Sequence, residues 1–475
     1  MKFYKFPNYI GGKAVESRHS LSVRDKFTGQ VLGEVALADE NQVNEAVENA
    51  IRAFDDFKYS SAERRAEILQ IIYDIVSSER DTFADLIIKE AGKPSGYAKN
   101  EIRRALDNLS TGIRETLNFA GRMIPMDYLN GKGKTAYALR VPYGPVLGIS
   151  PFNFPLNLAL HKIIPAIATG SPVILKPAPQ TPLTMMLLAE KLQDYNLPKG
   201  ILQVVMTDNE NAEKLVKNPA FQIFSFTGSD KVGWYLKSIS PAKKVFLEMG
   251  GNAAVYIDET ADIKRAARKL AYGSFLYAGQ ICISVQRIYV HQKTAEEFTD
   301  EFLKETGKIK SGNPADEEVT NGPLISEKDL FRMEEWVNEA VEKGAEILVG
   351  GKILDREHHI FEPTVLTGTN FGMKVIAEEI FGPVVNINPV DDIHEAIAEI
   401  NRSKYGLQHS IYSDSMKNIQ TFIQKVDAGG IMVNEIPGFR IDSMPYGGMK
   451  ASGIGREGAR WAMEEYTQLK LITLQ

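Results

Sequence analysis

The sequence predicts an α/β fold, in which parallel sheets carry helices on both faces. Short apolar runs alternate with helix-length segments through the middle of the chain, and this alternation is typical of strand–helix–strand units. A second region with the same alternation follows a pair of glycines, Gly250 and Gly251. No Ser-rich or Pro-rich linker separates the two regions. We therefore expect two closely packed domains with a cleft between them.

The length and composition of the chain indicate several domains and exclude some classes of function. At 475 residues the chain is too long for one ordinary core. A charged fraction of 24% and a net charge of −6 leave no basic footprint, so we expect no nucleic-acid partner. The amino terminus lacks the apolar core of a signal peptide, and no apolar run is long enough to cross a bilayer. With one free thiol, these features predict a cytoplasmic protein with no membrane partner.

The amino-terminal part is predicted to be a helical layer followed by an arm. Small and apolar residues recur at helical spacing over residues 41–60, 62–79 and 80–91. A Gly-Lys-Gly sequence at 131–133 then interrupts the pattern. Residues 135–141 alternate in the way a strand does, which indicates a hairpin arm.

Strands and helices then alternate through the rest of the chain. Apolar runs predict strands at 145–150, 172–175, 201–205, 222–226, 245–249, 253–257, 285–290, 384–389 and 431–434. Helical spacing predicts helices at 156–169, 183–195, 211–217, 231–239 and 266–277. The tail, residues 467–475, alternates polar and apolar residues like an exposed strand. An unpaired strand at a terminus favours pairing with another subunit.

Cys282 is the only cysteine of the chain, and its position indicates chemistry. It lies between the predicted helix 266–277 and the predicted strand 285–290. A thiol at such a junction can be held by packed elements and still face a cleft, where its thiolate can act as a nucleophile. The structural alternative is that a lone cysteine is a small buried hydrophobe.

Three other residues stand at the ends of predicted strands. Glu248 follows an apolar strand, where desolvation would raise its pKa and suit it to act as a general base; the alternative is an edge glutamate that faces water. Lys176 can hold a ribose or a phosphate, and the alternative is a solvated surface lysine. Asn153 lies between two prolines that fix the backbone, so its amide can be aimed at a ligand.

The turn after the strand at 222–226 is a candidate phosphate site. Gly228 and Ser229 precede the first turn of a helix, whose free N–H groups and dipole attract phosphate. The turn lacks the full G-x-G-x-x-G pattern, so an ordinary helix cap is the alternative.

Taken together, seven stretches resemble the aldehyde dehydrogenase superfamily over nearly the whole chain. Their order and their spacing both agree with that family. They are PFNFP at 151–155, KP at 176–177, FTGS at 226–229, LEMGG at 247–251, GQIC at 279–282, EIFGP at 379–383 and PYGG at 445–448. The resemblance implies a Rossmann-like parallel-sheet cofactor domain at 1–120 and 141–250. It also implies an α/β catalytic domain at 251–440 and a small β oligomerisation arm at 121–140 and 460–475.

The resemblance also implies the reaction, an NAD(P)-dependent oxidation of an aldehyde to its carboxylic acid. Cys282 is then the nucleophile, and the side-chain amide of Asn153 and the backbone N–H of Cys282 hold the oxyanion of the thiohemiacetal. Hydride leaves for the nicotinamide, and water deprotonated by Glu248 hydrolyses the thioester. No metal is implied.

The expected cofactor is NAD or NADP. The positions that match cofactor-binding residues of the family are Phe152, Lys176, Gly228, Ser229, Glu379 and Phe381. Many NAD-preferring relatives have a glutamate three residues after the lysine, and this chain has Pro179 there. A carboxylate that would repel a 2′-phosphate is therefore missing, which leaves both cofactors open.

The substrate positions depart from those of relatives that oxidise apolar aldehydes. The matching positions are Arg104, Phe154, Asn157, His161 and Arg440. Arg440 replaces an aromatic residue, and Arg104 is similar in position to an arginine that helps to bind phosphate or phosphonate in some members. We predict a short polar or anionic aldehyde, as in the lactaldehyde, non-phosphorylating glyceraldehyde-3-phosphate and phosphonoacetaldehyde dehydrogenases. The alternative is that both arginines form salt bridges between domains.

Two rival functions are weighed against this prediction. A CoA-acylating semialdehyde dehydrogenase would pass the thioester to CoA, but members of that kind commonly lack a carboxylate at the position of Glu248. A catalytically silent protein on the same scaffold would not need Asn153, Glu248 and Cys282 together. The resemblance further predicts a homodimer or homotetramer, built through the arm and the terminal strand, with a small-molecule aldehyde as the only other partner.

Overall fold

The fold is α/β, as the sequence predicts, in a computed structural model that describes residues 3–240 and 242–475. Met1 and Lys2 lie outside the described residues. The first two positions of the predicted segment 1–120 are therefore not described. Pro241 lies outside the described residues as well.

The helices and strands carry labels in chain order. The helices are α1 (Glu40–Phe57), α2 (Ala62–Ser78), α3 (Arg80–Ala91), α4 (Ser95–Asn118), α5 (Asn157–Thr169), α6 (Leu183–Leu192), α7 (Asn209–Lys217), α8 (Asp230–Ser238), α9 (Ile263–Phe275), α10 (Ala295–Thr306), α11 (Glu327–Glu342), α12 (Lys374–Ala377), α13 (Ile393–Asn401), α14 (Met416–Lys425) and α15 (Ala459–Glu465). The strands are β1 (Tyr4–Phe6), β2 (Asn8–Ile10), β3 (Lys13–Val15), β4 (His19–Arg24), β5 (Val31–Leu37), β6 (Arg122–Ile124), β7 (Thr135–Pro142), β8 (Val146–Ile149), β9 (Val173–Lys176), β10 (Leu202–Val204), β11 (Ile223–Thr227), β12 (Lys244–Glu248), β13 (Ala253–Ile257), β14 (Val285–His291), β15 (Glu346–Val349), β16 (Ile353–Asp355), β17 (Ile360–Phe361), β18 (Thr364–Thr367), β19 (Val384–Val390), β20 (Tyr405–Gly406), β21 (Gln408–Tyr412), β22 (Gly430–Val433), β23 (Met449–Lys450), β24 (Gly453–Ile454) and β25 (Thr467–Leu474).

The first large sheet has eight strands in the order β24-β12-β11-β8-β9-β10-β2-β3. Its five central strands, from β12 to β10, run parallel. Alternate residues of these strands face opposite helical layers: Val173 and Leu175 pack in the layer with α2 to α6, whereas Ile174 packs in the layer with α1 and α7. Parallel strands buried on both faces explain why these stretches read as continuous apolar runs.

The second large sheet has seven strands in the order β15-β18-β19-β14-β13-β21-β22. The six strands from β18 to β22 run parallel. The chain then returns to the first sheet, because β24 pairs antiparallel with β12. The carboxyl-terminal part of the chain therefore contributes one edge strand to the first sheet.

The arm is a separate sheet of three strands in the order β25-β7-β6. The predicted hairpin is present, since β6 pairs antiparallel with β7. The tail is also a strand, but the expectation that it is unpaired is wrong. Its eight residues pair with β7 along one edge, from Thr467 opposite Pro142 to Leu474 opposite Thr135.

Two parts of the amino-terminal half carry structure that the sequence did not predict. Residues 4–37 form β1 to β5, and α4 is a helix of 24 residues. Helix α9 ends at Phe275, two residues before the predicted end, since the backbone turns left-handed at Tyr277. Across the described residues, none of the helices combines the length and the apolar character needed to cross a membrane.

Candidate active site

Two cavities meet at Cys282 and Glu248, which belong to the walls of both. The larger cavity, of about 610 Å³, lies at the carboxyl ends of β9, β11 and β12 in the first sheet. The smaller, of about 120 Å³, lies between α4, α5 and the segment that follows β22. Ligands of open α/β sheets bind at the carboxyl ends of the strands, so the larger cavity is in the position of a cofactor site.

A left-handed turn places Cys282 at this junction. Tyr277, Ala278 and Gly279 have φ values of 52°, 51° and 67°, a conformation that costs energy for the two residues with a side chain. A Cβ at Gly279 would lie 2.1 Å from the carbonyl oxygen of Gly382, so only glycine fits there. Packing stabilises this turn, because Tyr277 is fully buried and its hydroxyl donates a hydrogen bond to the carbonyl oxygen of Ala91.

The Cys282 sulfur is half-buried and has a polar neighbour. Its Sγ lies 3.1 Å from the hydroxyl of Tyr446. Burial raises the pKa of the thiol to about 12, and the negative charges of Glu379 and Glu248 add to that effect, whereas Tyr446 and Arg440 oppose it. The alternative of a purely structural cysteine does not fit a sulfur that lines two cavities.

Asn153 lies beside the loop that carries the sulfur. One of its amide N–H groups donates to the carbonyl oxygen of Gln280 at 2.9 Å, which fixes the orientation of the side chain and leaves its second N–H for a ligand. Within residues 3–240 and 242–475, the backbone N–H of Cys282 has no acceptor. The second N–H of Asn153 and the backbone N–H of Cys282 are thus two donors that an oxyanion could use.

Glu248 ends β12 as predicted, but it does not face bulk water. Neither carboxylate oxygen has a hydrogen-bond partner among the described residues, and the side chain is buried. Burial raises the pKa of Glu248 well above its usual value, and the charge of Glu457 raises it further. A carboxyl group in this state binds a proton readily, as a general base needs to do.

Lys176 reaches the larger cavity from the end of β9. It is 6% exposed, which rules out the alternative of a solvated surface lysine. Burial lowers its pKa to about 8, and its ammonium group has no ion-pair or hydrogen-bond partner among the residues that the structure describes. A buried cation without a partner is costly unless a ligand supplies one.

Glu379 and Phe381 form the opposite wall of the larger cavity. A Glu379 oxygen accepts from the backbone N–H of Gly251 at 2.9 Å, and a Cβ at Gly250 would lie 2.2 Å from the other oxygen. Burial raises the pKa of Glu379 to about 8. Phe381 has a φ of 49°, and its ring meets the Phe152 ring edge-on with centroids 5.8 Å apart.

Gly228 and Ser229 also line the larger cavity, at the start of α8. Ser229 is the residue that caps the helix, so the alternative interpretation as a helix cap is also correct. The cap and a phosphate contact are compatible, because the first turn of a helix has several free N–H groups.

The smaller cavity is lined by charges that pair with one another. Arg104 makes two hydrogen bonds to Asp442, at 2.9 and 2.7 Å. Arg440 lies 3.0 Å from a Glu457 oxygen and 3.7 Å from Asp442. Both arginines thus form the salt bridges of the alternative interpretation, and both also line the cavity.

The remaining predicted substrate residues divide into two groups. Phe154 and Asn157 line the cavity, and Asn157 donates to Asp442 at 3.1 Å. His161 does not line it: the ring lies behind, with Nε2 2.8 Å from Asp442 and 3.0 Å from Arg440. Burial and the charge of Arg440 lower the pKa of His161, so the ring is neutral near pH 7.

Several site residues were not singled out from the sequence. They are Lys162, Arg332, Trp336, Asp442, Tyr446 and Glu457. Tyr446 lies in the PYGG motif at 445–448, and Glu457 lies nine residues after that motif. The sequence does not indicate what either side chain contacts. Among the described residues, no group of three or more His, Cys, Asp or Glu side chains is arranged to hold a metal ion.

Comparison with known proteins gives consistent matches. The model of a family described as "Aldehyde dehydrogenase family" matches residues 14–472. A 3-sulfolactaldehyde dehydrogenase of Priestia aryabhattai is 39% identical over 98% of this chain and 97% of that protein. A lactaldehyde dehydrogenase of Methanococcus maripaludis is 34% identical over 98% of this chain and 99% of that protein. The crystal structure of an NADP-dependent glyceraldehyde-3-phosphate dehydrogenase from Bacillus halodurans, complexed with NADP, superimposes with a TM-score of 0.96 at 30% identity, over 99% of both chains.

Proposed function

The chain belongs to the aldehyde dehydrogenase family, and on that premise we propose that it oxidises a short aldehyde with an anionic or hydroxylated tail to the carboxylic acid, with NAD or NADP. The observation that carries this proposal is that Cys282 and Glu248 stand in the common wall of the two cavities. One sulfur can then meet an aldehyde from one side while a cofactor lies on the other.

The residues of the larger cavity suit a nicotinamide dinucleotide. The unpaired ammonium group of Lys176 and the carboxyl group of Glu379 suit the ribose hydroxyls, and Gly228 and Ser229 suit the pyrophosphate. When bound, the cofactor supplies the hydride acceptor. Pro179 lies in the wall near Lys176, where a carboxylate would repel a 2′-phosphate, so the site suits NADP as well as NAD.

The chain's own residues then carry the chemistry. The thiolate of Cys282 attacks the carbonyl carbon, and the carbon–oxygen double bond becomes an oxyanion held by Asn153 and the Cys282 N–H. Loss of hydride leaves a thioester on the sulfur. Glu248 takes a proton from water, the hydroxide adds to the thioester, and the carbon–sulfur bond breaks to release the acid.

The charges of the smaller cavity support a polar or anionic tail. Three basic side chains, Arg104, Lys162 and Arg440, share two carboxylates, Asp442 and Glu457, while the buried Glu248 favours its protonated form. Of these groups Arg104 and Arg440 line the cavity, so two guanidinium groups face the space that the tail of an aldehyde would occupy. The compounds named for two relatives, 3-sulfolactaldehyde and glyceraldehyde 3-phosphate, carry anionic groups, and lactaldehyde carries a hydroxyl.

A panel of aldehydes tests the proposal. Lactaldehyde, 3-sulfolactaldehyde, glyceraldehyde 3-phosphate, phosphonoacetaldehyde, succinic semialdehyde and hexanal are each assayed with NAD and with NADP, by the absorbance of the reduced cofactor. We expect the highest kcat/KM with an anionic or hydroxylated aldehyde and free acid as product even when CoA is present. A preference for hexanal would contradict the tail assignment, and acyl-CoA as product would support the CoA-acylating alternative.

Substitution of Arg440 tests whether this residue recognises the anionic or hydroxylated tail of the aldehyde. Arg440→Leu, and Arg440→Gln as the more conservative change, should lower kcat/KM for an anionic aldehyde about tenfold more than for a neutral one of equal length. Arg460→Leu is the matched control, because Arg460 pairs with Glu115 and Glu464 away from both cavities. An unchanged ratio between the two aldehydes in the Arg440 variants would remove Arg440 from the proposal.

The assembly is proposed to be a homodimer or homotetramer built through the arm and β25. Leu469, Leu471 and Leu474 of β25 are exposed, and an exposed apolar strand is a surface that another subunit can cover. Sedimentation analysis of the parent and of a Leu469→Asp, Leu471→Asp double variant should show loss of the oligomer. Location in the cytoplasm stays a proposal, based on the free thiol, that fractionation of cells can test.

A further inference from the structure

The hydroxyl of Tyr446 touches the nucleophile, and no step described above uses it. It lies 3.1 Å from the Sγ of Cys282. The tyrosine side chain is buried, and it packs with Ile283 and Leu407 against the sulfur. The hydroxyl is therefore held at the sulfur and cannot turn to bulk water.

Arg440 lies on the face of the same tyrosine ring. The guanidinium carbon is 3.6 Å from the ring centroid, and Glu457 fixes the guanidinium through a hydrogen bond of 3.0 Å. A cation on the face of an aromatic ring is attracted by the electrons of the ring and draws on them. This withdrawal makes the phenolic hydroxyl a better hydrogen-bond donor.

The other charged groups that face the sulfur act in opposite directions. Glu379, on the loop before β19, and Glu248, at the end of β12, both disfavour a thiolate at Cys282. Arg440 and Tyr446, from the segment after β22, both favour it. Burial also disfavours the charged form and raises the pKa of the thiol overall, and the hydroxyl of Tyr446 is the direct hydrogen-bond contact that opposes this rise.

We propose that Tyr446 is a further catalytic residue, whose hydroxyl donates a hydrogen bond to the thiolate of Cys282 and holds the sulfur in place before attack. The proposal rests on Cys282 being the nucleophile of the proposed function. The hydroxyl keeps its own proton, so the hydrogen bond adds no atom to the reaction and removes none. It weakens when the sulfur shares its electrons with the carbonyl carbon, because a neutral thioether is a poor acceptor.

The test measures the reactivity of the sulfur without any aldehyde. Cys282 is the only cysteine of the chain, so alkylation of the protein by iodoacetamide, followed by mass spectrometry, reports this sulfur alone. Tyr446→Phe keeps the ring under Arg440 and removes the hydroxyl. We expect alkylation of this variant to be about tenfold slower at every pH between 7 and 9, since the thiolate loses a charge-assisted hydrogen bond.

Tyr466→Phe is the matched control. Tyr466 is also buried and its hydroxyl bonds to Ser225, but it lines neither cavity. Its alkylation should equal that of the parent. Alkylation of Tyr446→Phe at or above the parent rate would overturn the proposal. If Tyr446→Phe is unstable, incorporation of 3-fluorotyrosine at position 446 provides a second test, because this more acidic hydroxyl should speed alkylation, and slower or equal alkylation would again overturn the proposal.

Steady-state kinetics separate this proposal from the assignment of the substrate. Tyr446→Phe should lower kcat/KM about tenfold with an anionic and with a neutral aldehyde alike, so the ratio of the two kcat/KM values stays that of the parent. If the ratio of kcat/KM values for the two aldehydes changed while the alkylation rate did not, Tyr446 would be a residue that recognises the tail of the aldehyde. That result would refute its role at the sulfur. Failure of every aldehyde in the panel leaves the alkylation result, and hence this test, intact.

Discussion

The two cavities that share Cys282 are built in different ways. The larger one is formed by the ends of consecutive parallel strands, by glycines and by single charged groups such as Lys176 that have no partner within the described residues. In the smaller one, the two arginines of the wall are already paired with carboxylates, and one of these pairs, Arg104 with Asp442, joins residues that are far apart in the chain. The larger cavity thus offers unpaired groups to a ligand, whereas the charged groups of the smaller cavity are held by contacts between distant parts of the chain.

Substitution of Cys282, whose side chain belongs to the walls of both cavities, has the largest expected effect on turnover. Cys282→Ala removes the nucleophile from both cavities but leaves their walls intact, so formation of reduced cofactor should fall by more than about 10⁴-fold. Binding of NADPH, followed by quenching of tryptophan fluorescence, should stay within about twofold of the parent, because a side chain smaller than cysteine fits the same space. Turnover that survives this change would show that another residue attacks the aldehyde.

The shared carboxyl group gives the next effect. Glu248→Gln should slow the steady state by roughly 10²- to 10⁴-fold, while one equivalent of reduced cofactor still forms in a rapid burst, since only hydrolysis of the thioester needs the base. In the parent, burial raises the pKa of Glu248, so its basic form increases as the pH rises, and kcat should increase with pH where hydrolysis limits turnover. Glu465→Gln, which alters an exposed glutamate paired with Lys244, is the control. Loss of the burst in Glu248→Gln would place the residue in an earlier step.

A buried ion pair behind the smaller cavity gives a stability effect. Lys93 and Glu101 are both fully buried, Lys93 lies 3.6 Å from the centroid of the Phe154 ring, and Glu101 accepts from the N–H groups of Leu156 and Asn157. Lys93→Met leaves Glu101 without its cation and should lower the free energy of unfolding by about 3–5 kcal/mol. Lys99→Met breaks the exposed pair with Glu317 and should change it by less than about 1 kcal/mol. Equal melting temperatures for the two variants would mean that the buried pair does not support the cavity wall.

A glycine of the larger cavity gives the smallest effect. In Gly250→Ala the new Cβ displaces the carboxylate of Glu379, and the dissociation constant for NADP should rise about tenfold, the equivalent of about 1.4 kcal/mol. The KM for the aldehyde should not change, because Glu379 does not line the smaller cavity. Gly307→Ala is the control, since the nearest atoms to its Cβ would be 3.6 Å away. An equal loss of affinity in both variants would point to general instability.

The same contrast explains how much of the site the sequence predicts. The groups of the larger cavity stand at strand ends in short motifs, so Lys176, Ser229 and Glu379 are found from local pattern and family resemblance, and all three line it. The groups of the smaller cavity depend on contacts across the chain. Arg440 was identified, but its partner Glu457 was not, because nothing near residue 457 indicates what it will face. His161 was placed in the pocket by its position on a helix, yet the intervening Asp442 puts it one layer behind.

For the fold, periodicity predicts the buried elements and fails at two kinds of segment. Strands β8 to β14 are continuous apolar runs, and helices α1 to α3 have regular apolar spacing, so both were predicted to within a few residues. Strands β1 to β5 are short and partly exposed, and much of their stability comes from pairing with each other and with β10, which a local pattern does not show. The tail was recognised as a strand, but its partner β7 lies more than 320 residues earlier.

The pairing of Arg104 with Asp442 cannot form until most of the chain has been synthesised. The two residues are 338 positions apart, so at about 5–20 residues per second the ribosome delivers Asp442 on the order of half a minute after Arg104. Until then the nascent chain contains the segments that form the second large sheet and all strands of the first except β24, but it lacks Asp442 and Glu457, the carboxylates that pair with Arg104 and Arg440. A growing chain that stalls before residue 442 would therefore leave Arg104 without its carboxylate partner.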